Sequence, residues 1–196
     1  MAGTTAQHLA TIDLLRALAF PARRARSDSV VSGPGYHIAE LATSEEFWED
    51  DGTGRLAALE QYEAECGALS VVLSARWGEP QVFSLWSTLV RSTRGGGGVQ
   101  EESWQPWAEL SAGVPCLDLW RAGERWIALG VSQHDAELPF QLVAAVTVND
   151  PVQEGPGSAS SAVRSVRAVR CRGVLGLSHA ISVGTGSGCS CGPDLE

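Results

Sequence analysis

His134, Asp135 and Glu137 are the residues in this chain whose types and spacing come nearest to a chemical function. An imidazole beside a carboxylate could act as a general-base pair, or the three could supply metal ligands. Ser132 and Gln133 precede them, and the group falls in the polar stretch between two apolar runs, where functional residues concentrate on loops held by a rigid scaffold. A third polar group would have to come from elsewhere, from Glu101, Glu102 or His37. The plainer reading is an exposed connection that is polar because it meets water. Adjacent residues also tend to point in different directions, which works against the pair.

Two further patterns mimic known sites. Gly184, Gly186 and Gly188 follow the apolar stretch Ala180 to Val183, as in a dinucleotide fingerprint, but the helix, second strand and distal acid which that motif needs have no room before residue 196. Cys189 and Cys191 lie near His179, but a structural zinc site takes four ligands at recognisable spacings, and no second pair is present. Gly95 to Gly98 follow a helical pattern and precede Glu101 and Glu102, the wrong context for a phosphate loop and the wrong charge for an anion. All three read as surface loop or tail. No cofactor and no metal is expected.

The seven tryptophans all lie within residues 48–126. Tryptophan is bulky, amphipathic and enriched at binding hot spots. Trp104 and Trp107 flank Pro106 just after the glycine run, and Trp120 alternates away from Leu117 and Leu119. Exposed, these three would make a partner-binding surface; the plainer reading is packing, since tryptophan is highly buried on average.

These residues need elements to position them. Leu9, Ile12, Leu15, Leu18 and Ala19 recur at helical spacing over 4–19, with Thr4 or Thr5 as cap and Pro21 as stop. Residues 20–35, with an arginine cluster and then Ser, Gly and Pro, read as a linker. A short strand is predicted over 36–41. The acidic run Glu45, Glu46, Glu49, Asp50 and Asp51 reads as a solvated helix end, with Phe47 and Trp48 anchored in the core. Leu56, Leu59, Tyr62, Cys66, Leu69, Val72 and Leu73 predict a long helix over about 54–76, stopped by Gly78 and Pro80. A shorter helix is predicted over 84–92, capped by Ser84, with Leu85, Trp86, Leu89 and Val90 inward; Val82-Phe83 could instead open a strand. The period then changes to two over 115–121, 125–132 and 139–148, which predicts a three-stranded antiparallel meander. The long helix is the natural cover for its apolar face.

The fold expected is therefore α+β, one long and one short amphipathic helix packed on a small sheet of three or four strands. The organisation expected is an N-terminal helix and linker over 1–35, a compact domain over 36–152 and a Gly/Ser/Arg-rich tail over 153–196, which is expected not to belong to the domain.

Composition narrows the function classes. The 196 residues are 44% hydrophobic and 19% charged, ordinary globular values. Every one of the 14 basic side chains is arginine, a bias expected of GC-rich bacterial coding, so a Schiff-base lysine and a P-loop lysine are excluded. The net charge of −9 disfavours nucleic acid, despite Arg164, Arg167, Arg170 and Arg172 in the tail. No apolar run approaches the roughly 20 residues that span a bilayer, and the N-terminus lacks the basic start of a secretion signal. A cytoplasmic location is expected, with the five cysteines as thiols.

Leu119-Trp120-Arg121, then Arg125 to Gln133 and Leu138 to Leu142, resembles a group of small conserved actinobacterial proteins of unknown function, over about 54–150. The resemblance implies no activity. The helix-plus-sheet plan is also similar to bacterial immunity and chaperone-like proteins, a likeness of fold that does not imply function. The first expectation is a small protein-interaction module of immunity, adaptor or chaperone-like type, with another protein as partner and no membrane. The second is a small hydrolase or metal-dependent enzyme using the His134, Asp135 and Glu137 loop.

Overall fold

The computed structural model describes residues 4–48, 50–93 and 105–151. Its elements run α1 (Thr5–Ala17), β1 (Ala25–Arg26), β2 (Val30–Gly33), β3 (Tyr36–Thr43), α2 (Thr53–Trp77), β4 (Gln81–Ser84), α3 (Trp86–Thr93), α4 (Trp107–Ser111), β5 (Cys116–Ala122), β6 (Arg125–Ser132) and β7 (Gln141–Thr147). The class is α+β. The strands form one antiparallel sheet in the order β1-β2-β3-β7-β6-β5-β4. The predicted meander is present as β5-β6-β7, but it is less than half of the sheet.

The larger sheet arises from the segment read as a linker. Pro34 and Gly35 form a two-residue turn between paired Gly33 and Tyr36, and Gly35 takes φ +82°. A proline followed by a residue at positive φ is the chemistry of a type II turn, so the Ser/Gly/Pro composition marks a hairpin rather than a tether. Tyr36 closes it, its ring lying where a Cβ on Gly33 would stand. β3 then pairs along its length with β7, from Tyr36–Thr147 to Thr43–Gln141, with a bulge between Glu40 and Ala42. That pairing joins strands about a hundred residues apart in the chain. Residues 5–35 thus share the sheet and core of the residues after them, rather than preceding a separate domain.

Alternation along the strands divides the core in two. One face carries Ala39, Trp120, Ile127, Leu129, Leu142, Ala144 and Val146 and is covered by α1 (Ile12, Leu15) and α2 (Tyr62, Leu69, Leu73). The other carries Ile38, Leu117, Leu119, Ala128, Val143 and Ala145 and is covered by Leu85, Trp107, Leu110 and Val114.

The helix ends follow capping rules. Thr4 and Gln7 make a reciprocal capping box on α1. At α2 the acidic run caps: Asp50 accepts from the backbone N–H groups of Gly54 and Arg55, and Asp51 from that of Thr53. The hydrogen bonds from Thr53, its backbone N–H first, hold the Asp51 carboxyl below its ordinary range. Phe47 packs against the core as predicted, but Trp48 is exposed. At the other end of α2, Gly78 takes φ +86° and its N–H donates to the Ser74 carbonyl.

Two buried groups on the α1–α2 side have shifted titrations. Burial, with the charges of Asp118 and Glu63, pushes the Cys66 thiol up to about 12, so it remains protonated and a poor nucleophile at neutral pH. His37 is buried with Nδ1 2.7 Å from Ser32 Oγ, Nε2 without a partner and Phe20 stacked at 4.8 Å. Burial, then the nearby charge of Arg125, lowers its pKa from the ordinary 6.5. The unfolded imidazole therefore takes up a proton at a higher pH than the folded one. The stability due to neutral His37 is complete above about pH 6.5 and is lost as pH falls through the depressed folded value. Urea midpoints at pH 7.5 and pH 5.0 test this: the gap between wild type and His37→Gln will narrow at the lower pH. An equal gap at both would rule out His37 as a source of acid sensitivity.

Candidate functional site

The helical cover on the second face is incomplete. Leu85 and α4 reach across the β4–β5–β6 end, and toward β2, β3 and β7 a cleft of about 350 Å³ remains. Its apolar wall is Val31, Ile38 and Val143 from the sheet with Leu110 and Val114 opposite. Its polar groups are Ser132 and His134 at the end of β6, Gln141, Glu40, Glu109, Ser29 and Arg26.

Local geometry sets the Ser132–His134 end. Ser132 ends β6 and His134 lies two residues beyond it in the loop. Gly113 lies against both, with its carbonyl accepting from the Gln133 N–H at 2.9 Å. A Cβ on Gly113 would stand 2.4 Å from Ser132 Oγ and 3.0 Å from His134 Nδ1, so glycine is what permits this approach. Ser132 is 3% exposed. At the other end two arginines hold the carboxylates. Arg24 reaches Glu109 at 2.8 Å, whereas Arg26 stands 3.8 Å from Glu40 and is largely exposed.

The His134, Asp135 and Glu137 constellation is not assembled. All three are exposed, and His134 makes no ion pair with either carboxylate. Asp135 accepts from the Ala136 N–H at 2.6 Å, and the Glu137 carbonyl accepts from the Phe47 N–H. Gln133 braces the same loop by donating to the Leu138 carbonyl at 2.9 Å. The loop's polarity serves its own closure. Among the described residues no group of three His, Cys, Asp or Glu is placed to hold a metal ion.

The tryptophans divide differently from the expectation. Trp107 and Trp120 are 2% and 1% exposed, so neither can offer its ring to a partner in this fold. Trp120 does face away from Leu117 and Leu119, as its alternation implied, but that side lies under α2, where its indole N–H points to Ser74 Oγ at 3.4 Å. Trp107 is held under the second face beside Phe83. Among the described residues Trp48 and Trp86 are the exposed indoles, at 60% and 69%; Trp86 does not turn inward as its helical period predicts, whereas Leu85 beside it is buried. Trp104, Gly95 to Gly98, Glu101, Glu102 and the whole tail from 153 lie outside the described residues.

Sequence reasoning also missed the sheet edges. β1 is two residues long and carries Arg26, which pairs with Glu40, while Arg24 just before it pairs with Glu109, a blunted edge. β4 carries no charge. Leu85 N–H donates to the Pro115 carbonyl, so Gln81 and Phe83 bond inward to β5 by the alternation of an antiparallel ladder. Val82 and Ser84 therefore turn their N–H and C=O groups away from the sheet, and no partner meets them among the described residues. The Val82 side chain is 48% exposed, and Trp86 stands just beyond.

Comparison of the chain with protein-family models, with curated proteins and with solved structures finds no match.

Proposed function

We propose that the protein is a small cytoplasmic protein-interaction module that binds an extended segment of another protein by adding it to the β4 edge. The observation that carries this reading is the uncharged edge at Val82 and Ser84, unpaired among the described residues, with Val82 and Trp86 exposed beside it. Backbone groups give affinity in strand addition, and side chains at alternate positions give selectivity. Acidity accords with a protein partner rather than nucleic acid. Among the described residues no helix is long and apolar enough to cross a membrane. The reading as a hydrolase or metal enzyme on the His134 loop gains no support from the geometry, since Asp135 accepts from the Ala136 N–H and no ion pair joins His134 to Asp135 or Glu137 among the described residues.

The test follows from the direction of the Val82 N–H. Val82→Pro removes an outward donor and none of the bonds to β5, so the fold is retained while the edge is disabled. Capture from native lysate by the full-length chain will yield a stoichiometric partner that is lost with Val82→Pro, reduced with Trp86→Ser and retained with Trp48→Ser. Equal capture by Val82→Pro would overturn the edge as the binding surface.

A further inference from the structure

We propose that the end of α1 is a pH-sensitive latch, in which a proton taken up by buried His37 beside Arg125 lifts residues 15–20 off the sheet while the strands stay paired. His37 cannot itself move out to water. It is 2% exposed and lies on β3, paired to Ser32 of β2 on one side and to Val146 of β7 on the other. Ser32 Oγ lies 2.7 Å from Nδ1, and Nε2 is buried without a hydrogen-bond partner.

What covers His37 is held differently. Phe20 packs on the imidazole with ring centroids 4.8 Å apart, and the Arg125 guanidinium lies 4.4 Å over the same Phe20 ring. Arg125 Nη1 also holds the end of α1 through the carbonyls of Leu15, Arg16 and Leu18. One side chain thus fastens the stretch that seals the histidine, whereas β3 is fastened by two strands. A proton on His37 places a second cation in that seal. Of the groups that face His37 – Ser32 from β2, Val146 from β7, Phe20 and the Leu18 carbonyl from the chain after α1, and Arg125 from β6 – only Arg125 is charged. Burial and then Arg125 oppose the imidazolium, and the Leu18 carbonyl favours it less strongly. Lifting the cover admits water to the ring. The open form therefore binds the proton more tightly than the closed form, and its population rises as pH falls below about 6.5. Opening bares the part of the first core cluster that Leu15 covers, an apolar surface presented only in mild acid.

The experiment is amide hydrogen exchange on the full chain at pH 7.5 and pH 5.0, with each rate taken relative to that of an unstructured amide at the same pH. Protection at residues 15–18 will fall by about tenfold on acidification, within the limit of about thirtyfold set by an ordinary imidazole in the open form, while β6 and β7 change by less than about threefold. His37→Gln will abolish the difference. His8→Gln, which alters the buried histidine within α1 itself, will retain it. A second measurement needs no variant: on the wild type, the His37 ring resonances and the Leu18 amide will titrate with one shared midpoint below 6.5. Protection at 15–18 that is independent of pH, an equal fall throughout the sheet, a response removed by His8→Gln and kept by His37→Gln, or separate midpoints for His37 and Leu18 would each overturn the latch. Val82→Pro will leave the pH response unchanged, so the latch and the β4 edge succeed or fail independently.

Discussion

Trp120→Ala will destabilise the protein by about 3–5 kcal/mol, the range for truncating a large buried aromatic side chain. Trp120 is 1% exposed and shares its cluster with Leu69 and Leu73 of α2 and with Ile127 and Leu129 of the sheet. Removing the indole opens a cavity at the junction of α2 and β5, where the surrounding backbone is held by pairing to β4 and β6 and cannot collapse to fill it. Against the 5–15 kcal/mol typical of a domain, the loss is a large fraction of the total. Trp120→Phe retains most of the apolar area and gives up only a long contact to Ser74, so it will cost about 1–2 kcal/mol. Urea denaturation followed by far-ultraviolet circular dichroism separates the variants. A loss below about 1 kcal/mol for Trp120→Ala would mean that the ring is not part of the packed core.

Arg125→Ala will release α1 from the sheet. One guanidinium nitrogen, Nη1, donates to the carbonyls of Arg16 at 2.7 Å, Leu18 at 3.1 Å and Leu15 at 3.4 Å, and the group lies 4.4 Å over the Phe20 ring. These are carbonyls that the end of a helix leaves without intrahelical partners, and a cation there also meets the negative end of the helix dipole. Losing charge-assisted bonds and a cation–π contact together will cost about 2–3 kcal/mol. The loss will be local. Amide exchange across residues 5–18 will accelerate more than exchange in β6 and β7, and Arg125→Lys will restore part of the protection, since an ammonium keeps the charge without the planar fork. Uniform acceleration throughout the sheet would show instead that Arg125 contributes to the fold as a whole.

Both residues lie in stretches that periodicity reads well, yet neither role is visible in the sequence. Local signals are short-ranged. The 3.6-residue stripe from Leu56 to Leu73 determined α2, the change to a period of two determined β5, β6 and β7, and the start of α1 was legible to within Thr4 or Thr5, between which the structure chose Thr4. The absence of lysine and the acidity likewise set limits on chemistry that no fold could lift. What the sequence left open depends on residues far apart in the chain. Whether a valine-rich stretch near residue 30 is linker or strand depends on a neighbour, and that neighbour is reached through β3 and its pairing with β7, about a hundred residues away. Whether Trp120 or Trp86 is the exposed ring depends on which faces of the sheet receive cover, and here both do. The polar groups of the cleft could be seen singly, as Glu40 and Gln141 interrupting apolar strands, but their convergence with Ser132 and His134 is produced by strand register and by helical cover that stops short of β2 and β3. Periodicity reports which side of an element is apolar, a property of neighbouring residues. Burial, edges and clefts belong to the assembled sheet, so they were decided only when its two halves joined through β3 and β7.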